Sequence, residues 1–95
     1  MTRFFFFGTY TNNAIDGIDA KRTKLAEELI EGFGGKMLSV HALLGRDDIV
    51  ILADLPGVPE AMQVSLAVYK KTGIRFTSHP ALPVAEFDRL ASDLA

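Results

Sequence analysis

An α+β fold is predicted for this chain, and three observations predict it. Two short runs, Phe4-Phe5-Phe6-Phe7 and Ile49-Val50-Ile51-Leu52, are apolar without interruption, as strands covered on both faces are. Three other stretches carry apolar residues at the three- and four-residue spacing of helices. Between these segments lie Gly34-Gly35, Gly45, Pro56-Gly57 and Gly73, which punctuate the chain.

The first strand is read over Arg3 to Thr11. Successive strand side chains point to opposite faces, so Phe4 and Phe6 lie on one side and Phe5 and Phe7 on the other. Asn12, Asn13, Asp16 and Gly17 read as a polar loop, and Asp19 as the N-cap of a helix. Leu25, Ala26, Leu29, Ile30 and Phe33 make that helix's apolar stripe, which Gly34-Gly35 stops. Lys36 to Leu44 is the second strand. Strict alternation places Leu38, Val40, Ala42 and Leu44 on one face, and Met37, Ser39, His41 and Leu43 on the other. The turn Gly45-Arg46-Asp47 is short, so the third strand, Asp48 to Leu55, pairs with the second as an antiparallel hairpin.

Pro56-Gly57-Val58-Pro59 breaks the chain, and Pro59 suits the first helical position. The helix that follows, through Thr72, carries Met62, Leu66 and Tyr69 on one side, and Gly73 ends it. Ile74 to His79 is the fourth strand, and His79-Pro80-Ala81-Leu82-Pro83 a bend. A last helix shows Val84, Phe87, Leu90, Ala91 and Leu94 at helical spacing. The order βαββαβ, two split β-α-β units, is that of a ferredoxin-like sandwich with a C-terminal helix, spanning residues 1–95 as one domain. Its first and third strands are central. The two uninterrupted runs fall there, whereas the edges alternate, with Ser39 and His41 on one and Arg75, Thr77 and His79 on the other.

Helices cover one side of such a sheet. The other side holds two of the phenylalanines and half of Ile49 to Leu52, and burying each large side chain contributes about 1.5–3 kcal/mol. An exposed apolar face of this kind predicts a homodimer or higher oligomer, in which a second copy of the chain seals it. The alternative is a monomer whose terminal helix folds back over it.

Composition narrows the function classes. With a net charge of −2, nothing draws a polyanion, so no nucleic-acid partner is expected. Lys21, Arg22 and Lys24 share their helix with Glu27, Glu28 and Glu31 as a solvated face. There is no cysteine, which removes disulfides and thiolate chemistry and is compatible with a cytoplasmic location. No apolar run reaches the ~18 residues of a membrane helix, so no membrane partner is expected. Arg3 and the phenylalanines are too short a run for a secretion signal. Neither a metal nor a cofactor is expected: the two histidines form no close ligand pair. Gly34-Gly35-Lys36 leaves a helix and enters a strand, the wrong context for a phosphate loop.

Six residues are candidates for contacting a small molecule. His41 falls on the uncovered face with Ser39 and could act as a base or a ligand hook. Arg75 and His79 alternate onto one face of the last strand and could together hold a carboxylate, or simply protect a wet edge. Tyr10 ends the first strand at a pocket mouth or within the core. In the hairpin, Arg46 is the ligand candidate, and Asp48 either contacts a ligand or caps the turn through its own backbone. No Ser-His-Asp arrangement can be defended from spacing, and no catalytic residue is assigned.

The chain resembles the GYD-domain family of small bacterial proteins over nearly its whole length. The residues that carry the resemblance are Tyr10-Thr11, Arg22, Gly34-Gly35-Lys36 and the stretch Leu44 to Val50, with Gly73-Ile74-Arg75, Ala81 and Glu86-Phe87. The family's hairpin usually reads Gly-x-Tyr-Asp; here Gly45 and Asp48 match and Asp47 stands at the tyrosine position. The resemblance implies a ferredoxin-like domain of the dimeric α/β-barrel type, in which two sheets pack face to face. It implies no particular reaction. Similar architectures serve cofactor-independent monooxygenases of small substrates and the effector domains of leucine-responsive regulators, which bind amino acids and assemble. The expectation is therefore an oligomeric small-molecule-binding or assembly domain, with a monooxygenase-like enzyme as the alternative.

Overall fold

Four antiparallel strands form one sheet in the order β2-β3-β1-β4. They are β1 (Thr2–Tyr10), β2 (Lys36–Ala42), β3 (Ile49–Leu55) and β4 (Ile74–Pro80). Three helices join them: α1 (Ala20–Gly32), α2 (Val58–Thr72) and α3 (Val84–Ser92). The computed structural model describes residues 1–11 and 20–94, so the Asp19 cap and the loop of Asn12, Asn13, Asp16 and Gly17 lie outside the described residues. The arrangement is the ferredoxin-like α+β fold, with the two uninterrupted apolar strands at its centre.

Register decides which side chains share a face. Phe4 stands opposite Ala53, Phe6 opposite Ile51 and Gly8 opposite Ile49. On the other side of β1, Phe6 meets Ser78 and Gly8 meets Phe76. This face lies under α1 and α2 and holds the core: Phe4, Phe6, Ile51, Ala53, Leu55 and Ile74, closed by Ala26 and Ile30 from α1 and by Ala61, Val64 and Val68 from α2. Phe6 meets Phe76 edge-on, with ring centroids 6.2 Å apart. The two helices stop where glycine takes a left-handed conformation, at Gly34 (φ 86°) and Gly73 (φ 79°).

Several expectations are corrected. Strict alternation along β2 fails, because the register shifts between Met37 and Ser39, leaving Leu38 as an extra residue. Met37 and Val40 consequently both pack on the helix-covered core. The strand ends at Ala42 rather than Leu44, and Leu43 and Leu44 are exposed in the connection. On α2, the stripe of Met62, Leu66 and Tyr69 is turned to solvent, and the smaller Ala61, Val64 and Val68 seat the helix on the sheet. Small residues let the helix approach closely; the larger ones sit on the adjacent face at the same spacing. Finally, α3 buries none of its residues, so it does not fold back as a cover for the sheet.

Candidate functional site

The uncovered face of the sheet has an apolar centre. Phe5 pairs with Leu52, and Phe7 with Val50, across β1 and β3. All four are half-buried, and the two phenylalanine rings stack at 6.2 Å with 18° between planes. Polar residues ring this centre. Ser39 and His41 flank it from β2, opposite Leu52 and Val50. Thr77 and His79 flank it from β4, opposite Phe7 and Phe5. The His79 ring meets Phe7 edge-on at 5.7 Å.

One end of the face is closed by an ion pair. Arg3 Nε donates to Asp54 Oδ1 at 2.9 Å, and Arg3 Nη2 donates to Asp54 Oδ2 at 3.2 Å. Hydrogen bonding from Arg3 holds the Asp54 carboxyl below the usual carboxylate range; slight burial opposes this, and the Arg3 charge adds to it. Sequence reasoning missed this pair. Its signal was present: opposite charges sit at mirrored ends of the two apolar strands, and an antiparallel register brings such ends together.

The candidate residues divide into separate groups. His41 and His79 share the open face but stand on opposite edges of the sheet. Arg75 shares that face by register, opposite Thr9, yet its side chain rounds the edge of β4. Its guanidinium lies 5.2 Å from the centroid of the Tyr69 ring, and Nη2 donates to Tyr69 Oη at 3.2 Å. Four residues of extended chain separate Arg75 from His79, about 13 Å. The two therefore do not form one carboxylate clamp.

Tyr10 and Asp48 meet at the opposite end of the molecule from Arg3. The Tyr10 backbone N–H donates to Asp48 Oδ2 at 2.8 Å, and the Asp48 N–H donates to the Gly8 carbonyl at 2.8 Å. Asp48 thus stitches the β2–β3 connection to β1, a long-range role in place of the local cap its turn position suggested. The Arg22 guanidinium lies 5.1 Å from the centroid of the Tyr10 ring, a favourable contact between a cation and a π face. Arg46 projects from the connection, nearly fully exposed, with Nη2 3.9 Å from Asp47 Oδ2. Asp47, at the position where the resembled hairpin carries tyrosine, offers no aromatic surface there.

Between α1 and the sheet is a cavity of about 50 Å³, lined by Tyr10, Arg22, Met37, Val40, Ile74 and Phe76 among others. Such a space admits a few waters and is far below the ~300–1,000 Å³ of ordinary ligand pockets. Among the described residues no group of three His, Asp or Glu side chains is placed to hold a metal ion, and no helix is long and apolar enough to cross a membrane.

Comparison with known proteins gives a family and a fold. The GYD domain model matches residues 4–91. A crystal structure of a transcriptional regulator superposes with a TM-score of 0.67 at 14% identity, covering 87% of this chain and 51% of that one. The leucine response regulatory protein LrpA of Mycobacterium tuberculosis superposes with a TM-score of 0.57 at 15% identity, covering 86% of this chain and 51% of that one. Identities at this level show a shared fold alone, and the chain spans about half the length of each structure. The curated proteins gave no match.

Proposed function

The chain belongs to the GYD domain family, and from that premise we propose that it is a homo-oligomeric assembly domain. Its open sheet face pairs with that of a second copy, and a small molecule is held at the margin of the contact, near His41 and His79. One observation carries this reading: an apolar centre of Phe5, Phe7, Val50 and Leu52 is bordered by Arg3–Asp54, Ser39, His41, Thr77 and His79. An apolar core within a polar rim is the anatomy of protein interfaces.

The surface area supports the same reading. The chain exposes 6384 Å², whereas a folded monomer of its 10.4 kDa mass exposes about 5,400 Å². The shared fold with the two regulators adds support for a domain that assembles, as the effector domains of leucine-responsive regulators do. The monooxygenase-like alternative draws no support from the small cavity beside Tyr10, which has no room for an aromatic substrate.

Light scattering tests the assembly. The full chain at about 50 µM should show a multiple of the monomer mass, and Leu52→Lys should lower that multiple while far-UV circular dichroism stays native. Leu52 already points outward, so the substitution disturbs the face without entering the core. A monomeric full chain, or a folded Leu52→Lys variant of unchanged mass, overturns the proposal. A thermal-shift screen of amino acids and other small carboxylates tests the ligand: a stabilising compound should lose its effect in the His41→Ala/His79→Ala double variant.

A further inference from the structure

Pairing the sheets leaves a second apolar system unaccounted for. Phe87 and Leu90 of α3 are 61% and 45% exposed, and Met62 and Leu66 of α2 are 63% and 62% exposed. Beside Met62 and Leu66 runs an apolar groove of about 540 Å³ between α2 and β4, with Phe4, Phe76 and Pro80 in its walls. We propose that α3 is an exchanged arm: the apolar stripe of α3 in one copy seats in the α2–β4 groove of a second copy.

Dimensions and charge fit arm to groove. Helix α3, Val84–Ser92, is about 12 Å long at 1.5 Å per residue, and the exposed stripe of α2 from Val58 to Tyr69, about 17 Å, has room for it. The arm carries Glu86, Asp88 and Asp93 against a single Arg89, so it is net negative. The last turn of α2, beyond the Leu66 end of the groove, carries Lys70 and Lys71, both exposed. An acidic arm lying along α2 towards this basic helix end is electrostatically complementary.

The hinge directs the arm away from its own groove. Pro80 still belongs to the β4 ladder, opposite Phe4, and the Ala81 N–H donates to the Arg3 carbonyl at 2.9 Å. The chain is therefore pinned to β1 through Ala81. Leu82 precedes a proline, which favours extended backbone, and Pro83 itself is extended at φ −57°, ψ 143°. A link this short and stiff does not reverse direction, and α3 projects. The molecule accordingly measures 52 × 30 × 18 Å.

Area points the same way. Four strands about 4.8 Å apart and seven residues long offer a flat footprint of roughly 450 Å². Two such faces cover about 900 Å², against the ~1,600 Å² of a standard interface. The surface in excess of a folded monomer is about 1,000 Å² per chain, so sheet pairing accounts for roughly half of it. Among the described residues the arm and its groove are two further large apolar surfaces, apart from Leu43 and Leu44 in the β2–β3 connection.

The absence of cysteine makes the test direct. Leu66→Cys is placed in one chain and Phe87→Cys in a second chain carrying a different tag; both positions are exposed, so both variants fold. After mixing and mild oxidation, a covalent Leu66→Cys/Phe87→Cys heterodimer should form at least several-fold above a control pairing of Leu66→Cys with Lys21→Cys. Met62→Asp in the groove chain should reduce that yield several-fold. Yields no higher than the control overturn the proposal. So does a Leu66→Cys/Phe87→Cys double variant that closes an intrachain disulfide while the mixed single variants do not cross-link. The readout is contact between arm and groove, so it stands or falls separately from sheet pairing, which the mass of the Leu52→Lys variant reports.

Discussion

Gly8 is buried where three strands crowd together. A Cβ built there would lie 2.6 Å from Ile49 Cγ2, 2.8 Å from Phe76 Cε1 and 2.9 Å from Ile74 Cγ2. Gly8→Ala should therefore destabilise by about 1–3 kcal/mol through overpacking, read as a lower urea midpoint with an unchanged m-value. The sequence places Gly8 within the first strand but does not show what crowds it, because those neighbours come from two other strands. Asp54 has a legible charge but an illegible partner for the same reason. Its carboxyl is held below the ordinary range by Arg3, so its stabilising effect is complete above the unfolded carboxylate pKa of about 3.9 and is lost as pH falls through the lower folded value. Asp54→Asn should accordingly flatten the decline of the urea midpoint between about pH 5 and pH 3, and the effect should be small because the pair is exposed. An acid limb as steep as that of the parent chain would remove Asp54 from the account.

Elements follow from the sequence more faithfully than their faces do. Both central strands and all three described helices correspond to patterns of period two or 3.6, because burial imposes those periods on any chain that folds this way. The faces were harder to read for two separate reasons. In β2 a single extra residue at Leu38 reverses the alternation, and a bulge has no strong local signature. In α2 two stripes share the same spacing, Ala61-Val64-Val68 and Met62-Leu66-Tyr69, and side-chain size suggests the second as the core. The structure chooses the first. This makes a sharp contrast available. Val68→Ala should cost about 2 kcal/mol as a cavity-forming change, whereas Leu66→Ala should change the stability of the dilute, monomeric chain by no more than about 0.5 kcal/mol. Urea unfolding of the two variants at low protein concentration decides it, and equal losses would mean that α2 is rotated from the orientation described.

At the scale of the whole molecule, the hydrophobic share of 48% exceeds what one small core can hide. Among the described residues most of the remainder lies on the open sheet face, along the outer stripe of α2 and along α3, with Leu43 and Leu44 in the β2–β3 connection. Composition could signal that excess but not its location, which depends on register and helix rotation. The Cα radius of gyration, 14.5 Å, exceeds the ~12.4 Å of a compact chain of this length, as expected for a domain with a projecting arm. Small domains have little stability in reserve, so the proposed association would supply part of this chain's stability, and association depends on concentration. For a folded dimer in equilibrium with unfolded chains, a hundredfold rise in protein concentration adds about 1.4 kcal/mol per chain, or roughly 5–10 °C in the unfolding midpoint. Scans at about 1 µM and 100 µM should show that increase for the full chain. A chain truncated after Leu82 and the Leu52→Lys variant remove different contacts, so each should show a smaller increase, and the two changes combined should show none. A full chain whose midpoint does not move with concentration would mean that both apolar systems stay in water, and would overturn sheet pairing and arm exchange together.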